Sequence, residues 1–396
     1  MVRLPATRAS LWSSAGLVLS DDVIAPHDVP PFANSAMDGY AVRLADLDGG
    51  RVEMKVVEDL AAGHVASRSV GEGTAIKIMT GAPIPPGADT VIPVEDSSQE
   101  GDVVTFTAVP DLGSSVRKAG GDVAAGQIVF SEGSRLTPAH LGVLAAVGVA
   151  TPRVYRRPRV GVLSTGDEVQ PPETARLEPG WIRDANRPLL VGLLTDLGAD
   201  VQDYGIVPDN GDLLRNTLRR AAEECDAVLT SGGVSMGEYD LVKQVLTELG
   251  DVQLWKVAMK PAKPFAFGDI DGTPLFGLPG NPVSVMVAFE QFVRPSLLTM
   301  MGSTHTFRRR IGGCMAHAVD SDPERTMFLR VVATQSEGQW IAASAGGQDS
   351  NVLSAVANAN AFAVLPHGTG AVEAGGEVEL EMFRWPEART TAEVLG

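Results

Sequence analysis

The segment from Ser231 to Asp240, Ser-Gly-Gly-Val-Ser-Met-Gly-Glu-Tyr-Asp, has the residue types of a phosphate-binding loop. It contains three glycines and two serines and follows a short apolar run. Backbone N–H groups in such a loop can surround a phosphate, and Glu238 and Asp240 place carboxylates beside it. Phosphate beside carboxylates is the usual site of Mg²⁺, which takes few ligands from the protein itself. The alternative is a glycine-rich turn in which Asp240 caps a helix.

Two other segments could carry related chemistry. Ser164–Glu168 ends in neighbouring carboxylates after an apolar run, which suits a divalent cation, although a solvated surface pair is the more common situation. In Leu278–Ser284, Asn281 is a good helix N-cap and Pro282 fits the first helical turn. Gly280 permits close backbone approach, so the free N–H groups of this helix start could bind an anion. An ordinary capped helix is the alternative.

Lys260 and Lys263 form a candidate oxyanion site. They lie three residues apart in Lys-Pro-Ala-Lys-Pro, where two prolines restrict the backbone. The chain has a net charge of −17, so a local positive site within it favours the binding of an anion. The alternative is a pair of solvated lysines.

Several other kinds of site are excluded by the motifs. No Gly-Lys-Ser/Thr follows the glycine-rich segment, which excludes a P-loop ATPase. The six histidines are scattered without a metalloprotease or Ser-His-Asp arrangement. Cys225 and Cys314 are the two cysteines, and neither lies in a Cys-x-x-Cys pair, so neither a disulfide framework nor a zinc site is indicated.

The elements that must position these loops alternate between strands and helices from about Arg159 to Met301. Apolar runs such as 160–163 and 227–229 precede Ser164–Glu168 and the Ser231 segment, and amphipathic stretches lie between them. This alternation predicts a doubly wound α/β domain with parallel strands. Such sheets bind ligands at the carboxyl ends of their strands, where these loops would lie.

The regions on either side have a different pattern. Short strands separated by Gly/Pro turns predict a β-rich insert over residues 29–123, and β-like segments after residue 302 predict a small C-terminal β-domain. Thr137 is a plausible N-cap residue and Pro138 fits the first helical position, so we expect a helix to begin there. We expect four domains: 1–28 with 124–156 as a discontinuous helical linker domain, 29–123, 157–302 and 303–396.

Composition places limits on the class of protein. With 396 residues, the chain has room for two to three domains at about 150 residues each. The net charge of −17 disfavours a nucleic-acid partner and a polybasic membrane contact. The longest apolar run is too short to span a membrane, and the amino-terminal segment lacks a signal-peptide cleavage pattern. A cytoplasmic protein is therefore expected.

Six segments together resemble one known family. In chain order they are PPFANSAMDGYAVR, IMTGAPIPPGADTVIPVE, STGDE, SGGVSMGEYD, KPAKPFAFG and GLPGNPVS. They are similar to those of molybdopterin molybdenumtransferases of the MoeA type and of the related E domain of gephyrin. The similarity extends from about Ser10 to the carboxyl end of the chain.

The resemblance implies an elongated homodimer of four-domain subunits, with an active site between the α/β domain of one subunit and the β-rich insert of the other. It implies the insertion of molybdate into the dithiolene of adenylylated molybdopterin, with Mg²⁺ present and with release of AMP. The molybdopterin adenylyltransferase that supplies this substrate is an expected partner.

The resemblance also implies roles for individual residues. Eight match catalytic positions of the family: Asp38, Thr80, Asp122, Glu168, Asp226, Asp240, Lys260 and Lys263. Eight match or adjoin positions that would bind the pterin or its phosphates: Ser231, Gly232, Gly233, Ser235, Gly280, Asn281, Pro282 and Ser350. Glu168 and Asp240 would hold the metal. The chain departs from the family pattern at Gly121, Ala262 and Asp349, and it starts about one helix later than usual, which predicts a short first domain.

Two alternatives stay open. One is molybdopterin adenylyltransferase activity, which requires only the central α/β fold and would leave the insert and the C-terminal β-domain without a role. The other is a non-catalytic scaffold, which would not require Asp38, Glu168 and Lys263 together. Substitution of each by Ala separates them, because an enzyme would lose turnover while a scaffold would keep its partner.

Overall fold

The structure of the chain is a computed structural model that describes residues 1–47, 52–233 and 241–386. It contains two units. Arg8–Ala15 and Leu19–Val154 form what we call the amino-terminal unit, and Met1–Thr7, Gly16–Val18 and the chain from Tyr155 onward form the α/β unit. The predicted boundaries of four domains remain predictions.

The chain up to Tyr155 is mainly β-structure. Its strands are β1 (Ala6–Arg8), β2 (Val23–Ile24), β3 (Asn34–Ser35), β4 (Gly39–Val42), β5 (Glu53–Leu60), β6 (Thr74–Ile78), β7 (Thr90–Pro93), β8 (Ser97–Glu100), β9 (Val103–Phe106), β10 (Val116–Arg117), β11 (Ile128–Phe130) and β12 (Arg153–Tyr155). Single 3₁₀ turns cover Leu11–Ser13, Leu44–Asp46 and Val94–Asp96, and helix α1 covers Pro138–Ala146. The Thr137 side chain accepts a hydrogen bond from the His140 N–H, which confirms the predicted helix start.

A six-stranded sheet organises the amino-terminal unit, in the order β7-β4-β6-β5-β9-β8. Successive side chains of a strand point to opposite faces, and here both faces are covered. Tyr40 and Val42 pack in one cluster with Met54, whereas Ala41 packs in another with Ile76. The predicted β-rich insert is therefore confirmed as β-structure.

The α/β unit begins with alternating strands and helices. Its strands here are β13 (Arg159–Thr165), β14 (Val169–Gln170), β15 (Ile182–Arg183), β16 (Asp200–Val207), β17 (Ala227–Ser231), β18 (Gln253–Lys256), β19 (Met259–Lys260), β20 (Pro264–Ile270) and β21 (Thr273–Leu278). Its helices are α2 (Asn186–Leu197), α3 (Gly211–Glu224), α4 (Leu241–Leu249), α5 (Pro282–Ala288) and α6 (Arg294–Met300).

The main sheet of this unit has the order β16-β13-β17-β21-β20-β18. The first four strands are parallel, and β20 runs antiparallel to both β21 and β18. Apolar residues of α2, α5 and α6 share a core cluster on one side, and those of α3 and α4 share a second cluster. Helices on both faces confirm the predicted doubly wound α/β fold.

The helical path that begins at Pro282, where the sequence predicts a helix start, is interrupted before Met300. One turn of π-helix, Phe289–Val293, separates α5 from α6. Pro295 follows at the start of α6 and has no N–H to donate to the carbonyl four residues earlier. A π turn accommodates such a missing bond within an otherwise continuous helical path.

The C-terminal part forms a closed β-structure. It comprises β22 (Arg310–Met315), β23 (Thr326–Ser336), β24 (Gln339–Ser344), helix α7 (Leu353–Asn358), β25 (Ala361–Leu365) and β26 (Glu377–Met382). The sheet order is β19-β23-β24-β22-β26-β25, and an additional β23–β25 pairing closes it. Apolar side chains such as Leu329, Val331 and Leu380 fill it. Within the described ranges, no helix combines the length and apolarity needed to cross a lipid bilayer.

Candidate functional site at the carboxyl ends of the parallel strands

The loops that follow β13, β17 and β21 meet at one edge of the sheet. The Thr165 hydroxyl donates to the Ser231 carbonyl over 3.4 Å, and the Gly232 N–H donates to the Leu278 carbonyl over 3.2 Å. Ser231 is buried, with 2% of its surface exposed. The structure thus brings together the three loops in which the sequence predicts chemistry.

The glycines after β17 are required by the backbone and by close packing. Gly232 and Gly233 have φ angles of +92° and +67°, which side chains rarely adopt. A Cβ atom on Gly232 would lie 2.8 Å from the Thr165 carbonyl oxygen, and one on Gly233 would lie 2.0 Å from Val242 Cγ2. This conformation exposes backbone rather than side chains at the strand end. Ser235 and Asp240, the remaining predicted residues of this loop, lie outside the described residues.

The two carboxylates after β13 face different partners. Asp167 accepts a hydrogen bond from the Asp209 N–H at 3.0 Å. Glu168 is exposed and turns back over Gly166, where an added Cβ would lie 2.5 Å from the Glu168 Oε2 atom. Across the part of the chain that the structure describes, no three His, Cys, Asp or Glu side chains group as a metal site would require.

The start of α5 departs from the predicted arrangement. Asn281 is the N-cap residue, as predicted, but its side chain makes no capping hydrogen bond. Its Nδ2 atom donates instead to Ser350 Oγ at 3.0 Å, and the Val283 N–H donates to the Ser350 carbonyl at 3.3 Å. Pro282 has no N–H, and the Val283 N–H donates to Ser350. The N–H groups of the first turn of α5 are therefore not all free to bind an anion.

A buried arginine holds the Ser350 loop. Arg330 lies on β23 with 1% of its surface exposed, and its Nη2 atom donates to the Gly347 and Asp349 carbonyls at 3.3 Å. Burial lowers the pKa of Arg330, and the nearby Asp349 carboxylate opposes this shift. Its Nε atom is buried and finds no hydrogen-bond partner within residues 1–47, 52–233 and 241–386. Sequence analysis missed this residue, because an arginine in an apolar strand gives no signal of what the fold places beside it.

Topology places Lys263 near the same end of the main sheet, because Lys263 directly precedes β20 and β20 runs antiparallel to β21. Lys260 lies three residues earlier, on β19, which pairs with β23 of the C-terminal β-structure. The beginning of β20 therefore lies where β21 ends, beside Gly280. Both lysines are exposed. Ala262, between them, has a φ of +74° and is buried, so its methyl group occupies a backbone conformation that glycine adopts more readily.

Three predicted residues belong to the amino-terminal unit. Asp38 Oδ1 accepts hydrogen bonds from the Thr80 N–H at 2.7 Å and from the Thr80 hydroxyl at 2.6 Å. The hydroxyl bond is the main cause that lowers the pKa of Asp38, and the backbone bond adds to it. Asp122 is exposed, and its N–H donates to the Val29 carbonyl at 3.0 Å.

Comparison with known proteins agrees with the arrangement of the three regions. Family models described as the MoeA N-terminal region (domain I and II), the probable molybdopterin binding domain and the MoeA C-terminal region (domain IV) match residues 2–148, 161–299 and 313–383. The molybdopterin molybdenumtransferase of Haemophilus influenzae is 38% identical over 389 residues, with 94% of this chain and 93% of that protein covered. The chain belongs to the MoeA family.

Further relatives agree with this assignment. Molybdopterin molybdenumtransferase 2 of Mycobacterium tuberculosis is 38% identical, with 96% of this chain and 94% of that protein covered. A crystal structure of a molybdopterin biosynthesis MoeA protein from Pyrococcus horikoshii has a TM-score of 0.80 and 31% identity, covering 97% of this chain and 96% of that one.

In this MoeA family member, one predicted catalytic residue lies away from the other predicted residues of the sheet. Asp226 precedes β17, so it occupies the opposite end of the strand from Ser231. Its carboxylate accepts from Arg156 Nη1 and Nη2, both at 2.5 Å, and from the Arg159 N–H at 2.8 Å. Burial alone would raise the pKa of Asp226, but the Arg156 hydrogen bonds lower it. Asp226 is therefore held by Arg156 at the amino end of β17, away from the Ser231–Gly233 loop.

Proposed function

We propose that this chain is a molybdopterin molybdenumtransferase that inserts molybdate into the dithiolene of adenylylated molybdopterin and releases AMP and molybdenum cofactor. The observation that carries the proposal is the meeting of the Ser231–Gly233 loop with the loop after β21 at the carboxyl ends of the parallel strands, the end of the sheet at which β20 begins directly after Lys263. Relatives named molybdopterin molybdenumtransferase, of which 93% and 94% of the length is covered, support it.

The chain's own groups suit an anionic substrate. The left-handed glycines leave the backbone after β17 open to close approach by a phosphate. Lys260 and Lys263 provide positive charge for phosphate or molybdate in a chain of net charge −17. The proposal needs no protein nucleophile, because the sulfur atoms that bind molybdenum belong to the pterin.

Glu168 fits Mg²⁺ only as part of a site that the substrate completes. Its carboxylate is exposed at the strand end, and Mg²⁺ often binds one or two carboxylates together with substrate phosphates. We propose Glu168 as one such ligand, with Asp240 as the second. When bound, the ion would polarise the phosphoanhydride of the adenylylated pterin. The roles of Asp38, Thr80 and Asp122 are proposed from the family resemblance.

We also propose that the chain forms a homodimer through β18, the outermost strand on one side of its main sheet. All four residues of β18 are exposed, including Leu254 and Trp255, and β18 is the edge strand. Trp255 and the 36%-exposed Phe267 line a cavity of about 620 Å³ with Phe292. An exposed apolar edge strand favours pairing, and a second copy can pair with it antiparallel across a two-fold axis.

Sedimentation velocity tests the dimer. Trp255→Glu adds a charge to the edge and is expected to shift a wild-type dimer to monomer. Leu112→Glu changes an exposed apolar residue of the amino-terminal unit and should leave the dimer intact. A monomeric wild-type chain, or a dimer unaffected by Trp255→Glu, would contradict this interface.

The function is tested with purified chain, adenylylated molybdopterin, molybdate and Mg²⁺, following AMP. We expect AMP release that requires both molybdate and Mg²⁺. A second reaction supplies ATP and molybdopterin instead. Consumption of ATP there would indicate the adenylyltransferase, and binding of the pterin without either reaction would indicate a scaffold. We further propose that the chain is cytoplasmic. We also propose that it receives its substrate from the adenylyltransferase, and a pull-down between the two proteins would test that contact.

A further inference from the structure

The segment Asp184–Arg187, at the start of α2, contacts three of the four parallel strands of the main sheet and the loop that follows the fourth. The sequence motifs do not single it out, and the proposed function assigns it no role. Its partners lie in β16, β13, β17 and immediately after β21, which is the order of these strands across the sheet. The start of α2 therefore makes hydrogen bonds across the end of the sheet at which the candidate site lies.

Asp184 and Arg187 make the contacts to the first two strands. The Asp184 side chain, 1% exposed, accepts from the Ser164 hydroxyl at 3.0 Å and from Arg187 Nε at 2.9 Å. Arg187 Nη1 also reaches Asp203 Oδ2 at 2.5 Å. Asp184 additionally accepts from the Arg187 N–H at 3.1 Å, which satisfies the first turn of α2. These bonds fix the backbone on either side of Asn186.

Asn186 makes the contacts to the other two strands. Its Nδ2 atom donates to Ser231 Oγ at 2.7 Å and to the Gly280 carbonyl at 2.7 Å. The two acceptors belong to the two loops that the proposed function assigns to the phosphate. An amide with two N–H donors can link two acceptors at once, whereas a hydroxyl has only one donor.

The carbonyl oxygen of the amide, Asn186 Oδ1, is buried and accepts no hydrogen bond from the residues that the structure describes. Buried polar atoms without partners are rare, because each costs about 1–3 kcal/mol of desolvation. The amide is thus held in an orientation that satisfies the two loops and leaves its own acceptor unpaired. The orientation of the amide is therefore explained by its two hydrogen bonds to the loops, and not by solvation of the side chain.

We propose that Asn186 is a positioning residue, whose amide sets the separation between the Ser231–Gly233 loop and Gly280 and thereby the affinity for the phosphate of the adenylylated pterin. The inference rests on the proposed function. Without the amide, the contacts that join the two loops in the described part of the chain are backbone contacts, such as that from the Gly232 N–H to the Leu278 carbonyl.

The test uses Asn186→Ala and Asn186→Asp in the full chain. The Asp variant keeps the shape of the side chain but places a carboxylate oxygen against the Gly280 carbonyl. AMP release is measured against the concentration of adenylylated molybdopterin. We expect KM to rise about tenfold in both variants, which corresponds to a loss of about 1.4 kcal/mol of binding free energy. The value of kcat should change about threefold or less. Asn216→Asp, on the exposed face of α3, adds the same charge and should change neither.

Hydrogen exchange gives a readout that does not depend on activity. Both Asn186 variants should exchange faster than wild type in peptides covering 228–233 and 278–283, while peptides from α3 stay unchanged. A KM unchanged in both variants, with only a lower free energy of unfolding, would overturn the positioning role. If the wild-type chain releases no AMP, the proposed function fails. Hydrogen exchange that is unchanged at the two loops in both Asn186 variants would separately overturn the positioning role of Asn186.

Discussion

At the scale of single residues, Asp38 shows how a local pair can fix a charge state. Both hydrogen bonds from Thr80 end on the same oxygen of the exposed Asp38 carboxylate. They favour the ionised form, and the pKa of Asp38 is therefore lowered. Because the folded pKa lies below the unfolded one, the associated stability is present above the ordinary value of 3.8 and is lost as pH falls through the folded pKa.

Thr80→Val tests this pair. Removing the hydroxyl donor should raise the pKa of Asp38 toward its ordinary value, but only in part, because the Thr80 N–H still donates. Carbon-detected NMR of the Asp38 carboxyl group across pH 2 to about 6 measures the shift. Thr107→Val, another exposed threonine of the same unit, should leave it unchanged. An Asp38 pKa that does not move would contradict the assigned cause.

Glu168→Ala tests the proposed metal ligand. Glu168 is exposed, so its removal should leave the thermal midpoint within about 2 °C of wild type. Turnover at limiting Mg²⁺ should fall about a hundredfold if one metal ligand is lost. Glu173→Ala removes an exposed carboxylate of the same charge and serves as control. Normal activity of Glu168→Ala over the whole Mg²⁺ range would exclude this role.

At the scale of elements, the loop after β17 depends on glycine for two separate reasons. Gly233 has a positive φ, which costs a side chain about 1–2 kcal/mol. It also lies against Val242 on α4, where an added Cβ overlaps Val242 Cγ2. Sequence analysis predicted a glycine-rich phosphate loop here, but the contact with α4 is a property of the packed unit.

Gly233→Ala should therefore lower the free energy of unfolding by about 2–4 kcal/mol, the sum of backbone strain and overpacking. Gly272→Ala provides the matched control, since Gly272 has a φ of +86° but no atom within 4 Å of an added Cβ. It should lose only about 1–2 kcal/mol. Urea unfolding followed by circular dichroism measures both. Equal losses would show that the overlap with Val242 is relieved without cost.

At the scale of the whole molecule, buried ion pairs attach the helical path after β21 to the C-terminal β-structure. Glu290, in the π turn, has a side chain 1% exposed and accepts from Arg308 Nε at 2.9 Å and Nη2 at 3.0 Å. The neighbouring Gln291 donates to Glu381 on β26 at 2.5 Å. The π turn thus gives two successive side chains polar partners outside the helical path, at Arg308 and on β26.

Glu290→Gln tests this attachment. It keeps the shape of the side chain but leaves Arg308 without its carboxylate, and a broken buried pair costs about 3–5 kcal/mol. Because Arg308 is 28% exposed, we expect about 3 kcal/mol or less in urea unfolding. Glu379→Gln, which removes the 57%-exposed partner of Arg310, should cost under about 1 kcal/mol. Similar losses in the two variants would argue that the Glu290 pair contributes no more than a surface pair.

Much of the molecule could be predicted from the sequence alone. The alternation of apolar runs and amphipathic stretches determines the doubly wound sheet, because each element must bury its apolar face against the next. The helix start at Thr137, the loops after β13, β17 and β21, and the family all follow from short segments of neighbouring residues. These features are local, so the information that specifies them lies within a few residues.

Only the tertiary structure decided how those loops are held and which predicted residues lie together. Asn186 meets Ser231 and Gly280 from 45 and 94 positions away, and Asn281 meets Ser350 from 69. Asp226 has the residue type of a catalytic acid but lies at the other end of its strand, paired with Arg156. Side-chain hydrogen bonds of this kind depend on distances and orientations that form only when separate elements pack. Arg330 lies beside the Ser350 loop for the same reason.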